Sequence, residues 1–170
     1  MDDRAIVARQ LGRPPRAFGR VAARCPYGLP AVTEQQPYDS EGKPFPTTYY
    51  LTCPHLVSAV ARLEGSGGVE RWSLAAGEDE DLAASLARAT DEQRRVRREL
   101  AAGTRGTDGG ASLEWGIGGS RMPSHLKCLH AHVAYALARP GYELGEQVFG
   151  EVDEPWPADR CCSEPPRETD

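Results

Sequence analysis

Thr47-Thr48-Tyr49-Tyr50-Leu51-Thr52-Cys53-Pro54 reads as a strand that turns directly into a helix, and the rest of the chain can be placed around it. β-Branched and aromatic side chains suit a pleated, half-buried surface, so residues 47–52 are expected to form a strand. Pro54 has no amide proton to leave unpaired and a φ already fit for a helix. It suits the first helical position and makes Cys53 the cap. Leu56, Val60 and Leu63 then recur at helical spacing, with Val57 and Ala61 beside them. Gly65-Ser66-Gly67-Gly68 closes that helix.

Upstream, Gly19-Arg20-Val21-Ala22-Ala23 and Pro30-Ala31-Val32-Thr33 flank Cys25-Pro26-Tyr27-Gly28. Proline and glycine between two extended runs predict a hairpin with Cys25 at its tip. Residues 37–47 are expected to be loop, broken by Pro44 and Pro46. Residues 1–16 read as a basic N-terminal arm with a short helix on a Pro-rich hinge. Downstream, a long helix is expected from about Glu80 to Ala102, with Leu82, Leu86, Ala89, Val96 and Leu100 along one stripe. Its first turn is acidic and its last turns carry Arg94, Arg95, Arg97 and Arg98, which complements the helix dipole. Residues 103–120 are Gly-rich. A last helix is expected from Met122 or Pro123 to Arg139, stopped by Pro140-Gly141. After Gly150 the chain is acidic and Pro-rich and reads as an extended tail. The order implies an α+β fold: a small antiparallel sheet of about three strands covered by three or more helices. The division is an arm (1–16), a single α+β domain (17–150) and a tail (151–170).

The chain has 170 residues, 39% of them hydrophobic, and a net charge of −5. That length can bury a core without disulfide staples. A negative chain is a poor general binder of nucleic acid. The run Arg94-Arg95-Val96-Arg97-Arg98 therefore reads as a solvated helix face balanced by acids upstream. No apolar run approaches the roughly 18 residues of a membrane span. The start, Met1-Asp2-Asp3-Arg4, has no apolar stretch of a secretory signal. These features set the expectation of a cytoplasmic protein, with thiols kept reduced for metal binding, reaction or packing. The basic arm and the helix at 80–102 are the candidate surfaces for a protein partner.

Five cysteines carry the chemical interest. On a continuous last helix, His125, Cys128 and His132 would fall near one face at spacings i, i+3 and i+7. Imidazole and thiolate are the ligands zinc prefers, and an ion needs about four of them. Cys25 and Cys53 are the natural complements from the sheet, and Cys161 or Cys162 from the tail. Zinc is the first expectation and an iron–sulfur cluster the second. Against this stands ordinary packing, since cysteine is often a small buried apolar residue. His130, among leucines, reads as a core histidine. Cys53 has a separate reading: a thiol at a helix N-terminus feels the free amides and the dipole, which favour a nucleophilic thiolate.

Trp115-Gly116-Ile117-Gly118-Gly119-Ser120-Arg121 precedes the last expected helix, with Lys127 further in. Glycine amides and a helix N-terminus can hold phosphate, so Gly118, Gly119, Ser120, Arg121 and Lys127 are candidate anion ligands. No Gly-Lys-Ser/Thr follows, and Arg121 stands where the third glycine of a dinucleotide fingerprint belongs. The alternative to a metal protein is thus an enzyme for a phosphorylated or anionic small molecule, with Cys128, His125 or His132 beside that loop.

Arg24-Cys25-Pro26, the run Gly42-Lys43-Pro44-Phe45-Pro46-Thr47-Thr48-Tyr49-Tyr50-Leu51-Thr52-Cys53-Pro54, Arg62-Leu63-Glu64 and Lys127-Cys128-Leu129-His130-Ala131-His132 resemble the bacterial family known as domain of unknown function 501. The resemblance covers roughly residues 5–150. It implies a largely actinobacterial, cytoplasmic group without an agreed activity, and so leaves the chemistry to the residues themselves.

Overall fold

The computed structural model describes residues 2–164. In chain order the elements are α1 (Asp3–Leu11), β1 (Phe18–Arg24), β2 (Pro30–Gln35), β3 (Tyr49–Leu51), α2 (Pro54–Gly65), α3 (Gly68–Glu78), α4 (Glu80–Ala101), α5 (Leu129–Ala138) and α6 (Glu143–Glu151). Short 3-10 turns lie at Ala111–Glu114 and Ile117–Gly119. The three strands form one antiparallel sheet in sequence order, with β2 central and buried along its whole length. Val21 stands opposite Thr33, and Val32 opposite Leu51. An α+β architecture is what the order of strands and helices along the sequence implied. No helix among the described residues is long and apolar enough to cross a membrane.

Helix α5 is the centre of the core. Leu129, Val133, Ala134 and Tyr135 are fully buried, and the helix packs on β3, α2 and α6. Tyr135 sits edge-on between the rings of Tyr49 and Tyr142, each with centroids 5.3 Å away. The Tyr135 hydroxyl donates to Glu92 on α4, which also accepts from Nε of Arg139 at 2.6 Å. The sheet is thereby joined to α4 across the end of α5.

Several sequence expectations change. The last helix begins at Leu129, not near Met122, and residues 121–128 are turns. The Ser120 hydroxyl donates to the Met122 carbonyl, the His125 amide returns to the same carbonyl, and Cys128 is fully extended. These local bonds outweigh the helical spacing of the side chains. A further helix, α3, follows α2 after only two residues. Gly68 permits it: a Cβ there would lie 2.6 Å from the Leu63 carbonyl oxygen and 3.0 Å from Leu129. Helix α6 also went unread. The N-terminal segment is no detached arm, because Ile6 and Val7 are buried and Gln10 donates to the Pro30 carbonyl and the Ser163 hydroxyl. Residues 152–164 likewise lie on the domain rather than extending from it. Val152 and Cys161 are buried, Tyr27 bonds the Pro157 carbonyl, and His55 donates to the Glu154 carbonyl. The rest of the expected tail, residues 165–170, lies outside the described residues.

Arg97 on α4 is the one arginine with no exposed surface among the described residues. Its Nε donates to the Ser112 carbonyl at 3.1 Å; one terminal nitrogen donates to the Phe45 carbonyl at 3.1 Å and the Thr48 hydroxyl at 3.3 Å. Burial lowers its pKa to about 10, opposed by Tyr38 and Asp108, so it keeps its charge at neutral pH. The guanidinium thus pins two long loops, 36–48 and 102–116, to the helix. Replacing it with Met is expected to cost about 2–4 kcal/mol, because buried carbonyls lose their donors. Arg97→Lys should recover little, since an ammonium cannot span the fork. Urea unfolding measures both; losses under about 0.5 kcal/mol would show that the loops hold without this group.

Candidate thiol site

Four thiols meet as two pairs. The Cys25 and Cys161 sulfurs are 3.7 Å apart, and the Cys53 and Cys162 sulfurs are 3.6 Å apart. Local chain geometry delivers each one. Cys25 opens the turn between β1 and β2; its amide bonds the Leu29 carbonyl, and its own carbonyl accepts from Gly28. Cys53 follows β3 by two residues and caps α2, as the sequence predicts, with Pro54 in the first turn. Cys161 and Cys162 come from the loop after α6. They are adjacent in sequence, so the two pairs share a neighbourhood. Trp156 packs on Phe149 and helps hold that loop. Cys25, Cys53 and Cys161 are buried and Cys162 is exposed.

Burial is the main influence on two of these sulfurs, Cys53 and Cys161. It pushes the Cys53 thiol up to about 12, helped by Cys162 and opposed by the Leu56 and His55 amides of the first helical turn. Burial and then Cys25 also raise the Cys161 thiol, against the Ser163 amide. The expectation of an activated Cys53 thiolate therefore fails. The helix amides are present, but desolvation outweighs them. Among the described residues no three His, Cys, Asp or Glu side chains close into one metal cage as they stand.

The other expected ligands lie in different settings. Cys128 precedes α5 and lines a cleft with Tyr49, Tyr50, Val57 and His130, where burial raises its thiol. It takes part in neither thiol contact. His130 lies across α2, with Nδ1 at 3.1 Å from Glu64 and Nε2 at 3.0 Å from the Val57 carbonyl. His125 is exposed on the turns before α5. His132 is buried, shares a 2.7 Å hydrogen bond with the Tyr142 hydroxyl through Nδ1, and has no partner at Nε2 among the described residues. With α5 starting at Leu129, the helical face that would have joined His125, Cys128 and His132 does not exist.

The glycine loop is also used differently. Gly119 and Ser120 amides bond the Gly116 and Ile117 carbonyls, and the Gly116 amide bonds the Ser120 carbonyl. Gly118 is buried against Ala131 and Cys128. Three of the loop amides are thus used within the loop, and the next helix, α5, starts only at Leu129. Arg121 and Lys127 are exposed on one cleft with Ser120 and Gly119. On α4, Leu82, Leu86, Ala89 and Val96 face the core, so this stripe is not an uncovered docking surface.

A family model described as "Protein of unknown function (DUF501)" matches residues 21–152. The chain belongs to this family. The DUF501 match takes in the sheet from Val21 onward and the helices from α2 to α6, and therefore Cys25 and Cys53. It stops before Cys161 and Cys162, the other half of each pair. Comparisons with curated proteins and with solved structures find no match.

His132 gives a test of this geometry. Burial lowers its pKa to about 3, against an ordinary value of about 6.5. Between these values the unfolded chain carries a proton that the folded chain refuses. Stability from this group is complete above about 6.5 and falls as pH drops towards 3, by up to about 1.4 kcal/mol per pH unit. Wild type should therefore lose stability more steeply than His132→Phe between about pH 7 and about pH 4.5 in urea titrations. Parallel losses would mean that His132 accepts a proton in the folded protein.

Proposed function

We propose that this chain is a cytoplasmic metal-binding protein that holds one zinc ion through Cys25, Cys53, Cys161 and Cys162. The observation that carries the reading is the pair of sulfur contacts, 3.7 and 3.6 Å, made by consecutive residues of one loop. Thiolates around a zinc ion at about 2.3 Å stand about 3.8 Å from one another at the tetrahedral angle. A disulfide would bring them to about 2.05 Å. Reduced thiols spaced in this way resemble two edges of a ligand tetrahedron. Because the pairs do not yet form one cage, binding must draw them together. The loop carrying Cys161 and the exposed Cys162 is the part able to move. Binding also resolves the raised thiols, since coordination removes their protons and ties affinity to pH.

Four sulfurs leave no open position for water or substrate, so the site is structural. Its effect is to fasten residues 152–164 across the β1–β2 turn and the start of α2. Cys128 and His132 are not needed as ligands. A second reading, a two-iron, two-sulfur cluster, is favoured by the pairing itself. Such a cluster takes two thiolates on each iron, so two close pairs would suffice without one shared cage.

Metal content and the visible spectrum of the gently purified full chain test both. About one equivalent of zinc without colour supports the first reading, and about two of iron with a brown absorption supports the second. Cys161→Ser/Cys162→Ser should lose the metal while Cys128→Ser keeps it, and circular dichroism of each variant checks that the helices persist. Less than about a tenth of an equivalent of any transition metal, before and after reconstitution, overturns the proposal, because structural zinc binds by about 10–16 kcal/mol.

A further inference from the structure

The geometry points to a second binding site, independent of the thiols: a cleft beside α5 that takes a small molecule or ion bearing a phosphate group. The cleft measures about 480 Å³ and is walled by Pro46, Trp115 and Met122, with Arg121, His125 and Lys127 around it. No carboxylate lines it. Elsewhere on the surface, arginines are commonly matched. Arg94, Arg95 and Arg98 on α4 each lie within 3.4 Å of an Asp or Glu oxygen. Among the described residues neither Arg121 nor Lys127 has such a partner. Two unmatched cations facing one concavity in a chain of net charge −5 give a local field opposite to that of the whole.

The site is partly set in advance. The Arg121 guanidinium lies over the Trp115 ring, 4.6 Å from its centroid. That contact holds the planar fork at the cleft wall, so less side-chain freedom is lost when an anion binds. Gly119 also lines the cleft. Its φ is +76°, and a Cβ there would lie 2.7 Å from Pro46. The Ser120 hydroxyl is held by the Met122 carbonyl at 2.8 Å, which fixes the turn leading to His125 and Lys127. The Gly116, Gly119 and Ser120 amides are already paired within the loop, so recognition rests on side chains: a guanidinium fork and an ammonium point charge, the two groups that read phosphate best. The apolar walls offer a surface for the organic part of a phosphorylated molecule.

The test titrates the full chain with inorganic phosphate, ribose 5-phosphate and adenosine monophosphate, by calorimetry and tryptophan emission at low salt. Saturable binding of at least one is expected, with Arg121→Gln and Lys127→Gln each weakening it by about tenfold. Arg95→Gln, a surface change on α4, should leave the affinity unaltered. Trp115→Phe should abolish the emission change while Trp72→Phe and Trp156→Phe keep it. Equal affinity for all three probes assigns the site to the phosphate group alone; tighter binding of the organic phosphates assigns a role to the apolar walls. Absence of saturable binding with every probe overturns the inference. So does a loss in Arg95→Gln equal to that in Arg121→Gln, which would mark general charge attraction.

Discussion

One carboxylate decides where the central helix begins. Glu64, near the end of α2, accepts the Leu129 amide at 2.6 Å and faces His130 Nδ1 at 3.1 Å. The first amides of a helix have no partner within it, and a negative charge there is favoured by the dipole. Cys128 is extended just before it, so the chain turns into α5 at Leu129. The ring of His130 then reaches back to the Val57 carbonyl, almost two turns up α2. Two helices are thus locked in register by one short acid and one ring. The arrangement fixes both regions of interest. Cys53 is the cap of the helix that bears Glu64, and Lys127 belongs to the turns that Glu64 excludes from α5.

This lock explains where the sequence misled. Residues 122–139 have helical spacing, and a wheel drawn through them joins His125, Cys128 and His132. The spacing is real only from Leu129 onward. Side-chain spacing does not signal the break, because it is set by turn bonds to the Met122 carbonyl and by a distant carboxylate, Glu64. The strand-to-helix junction at Cys53-Pro54 was legible for the opposite reason. Its determinants, β-branched residues, proline and a periodic leucine pattern, are all local. Helix α3 was hidden by its glycines, which read as a terminator. In the fold Gly67 takes a left-handed φ of +83° and turns the chain straight into a new helix.

The thiol site shows the same division. Turn chemistry placed Cys25 at a hairpin tip, and capping chemistry placed Cys53 at a helix start. Each position was readable alone. Their partners were not, because residues 152–164 are rich in proline and acid, a composition that suggests a solvated tail. What holds them is a set of contacts that composition does not encode: the hydroxyl of Tyr27 on Pro157, the ring of His55 on Glu154, and Trp156 against Phe149. Arg97 was likewise hidden inside a basic run that reads as a solvent-facing patch. Its neighbours Arg95 and Arg98 do bond surface acids, while the intervening position points inward, as a period of 3.6 requires.

Two loop-fastening devices of different chemistry emerge. Around α4, a buried guanidinium gathers the 36–48 and 102–116 loops by donating to their carbonyls. At the edge of the sheet, four thiols gather the segment after α6. The first device is permanent, because arginine stays charged at any physiological pH. On the metal-binding proposal the second is conditional. Four neutral thiols contribute only packing, whereas four thiolates on an ion contribute a crosslink whose strength depends on pH and metal supply. Besides the thiol contacts, the segment is held by hydrogen bonds to Tyr27, His55 and Gln10, each worth about 1 kcal/mol. Burial of Val152 and Cys161 adds to them, so the segment is docked by packing and hydrogen bonds before any crosslink is considered.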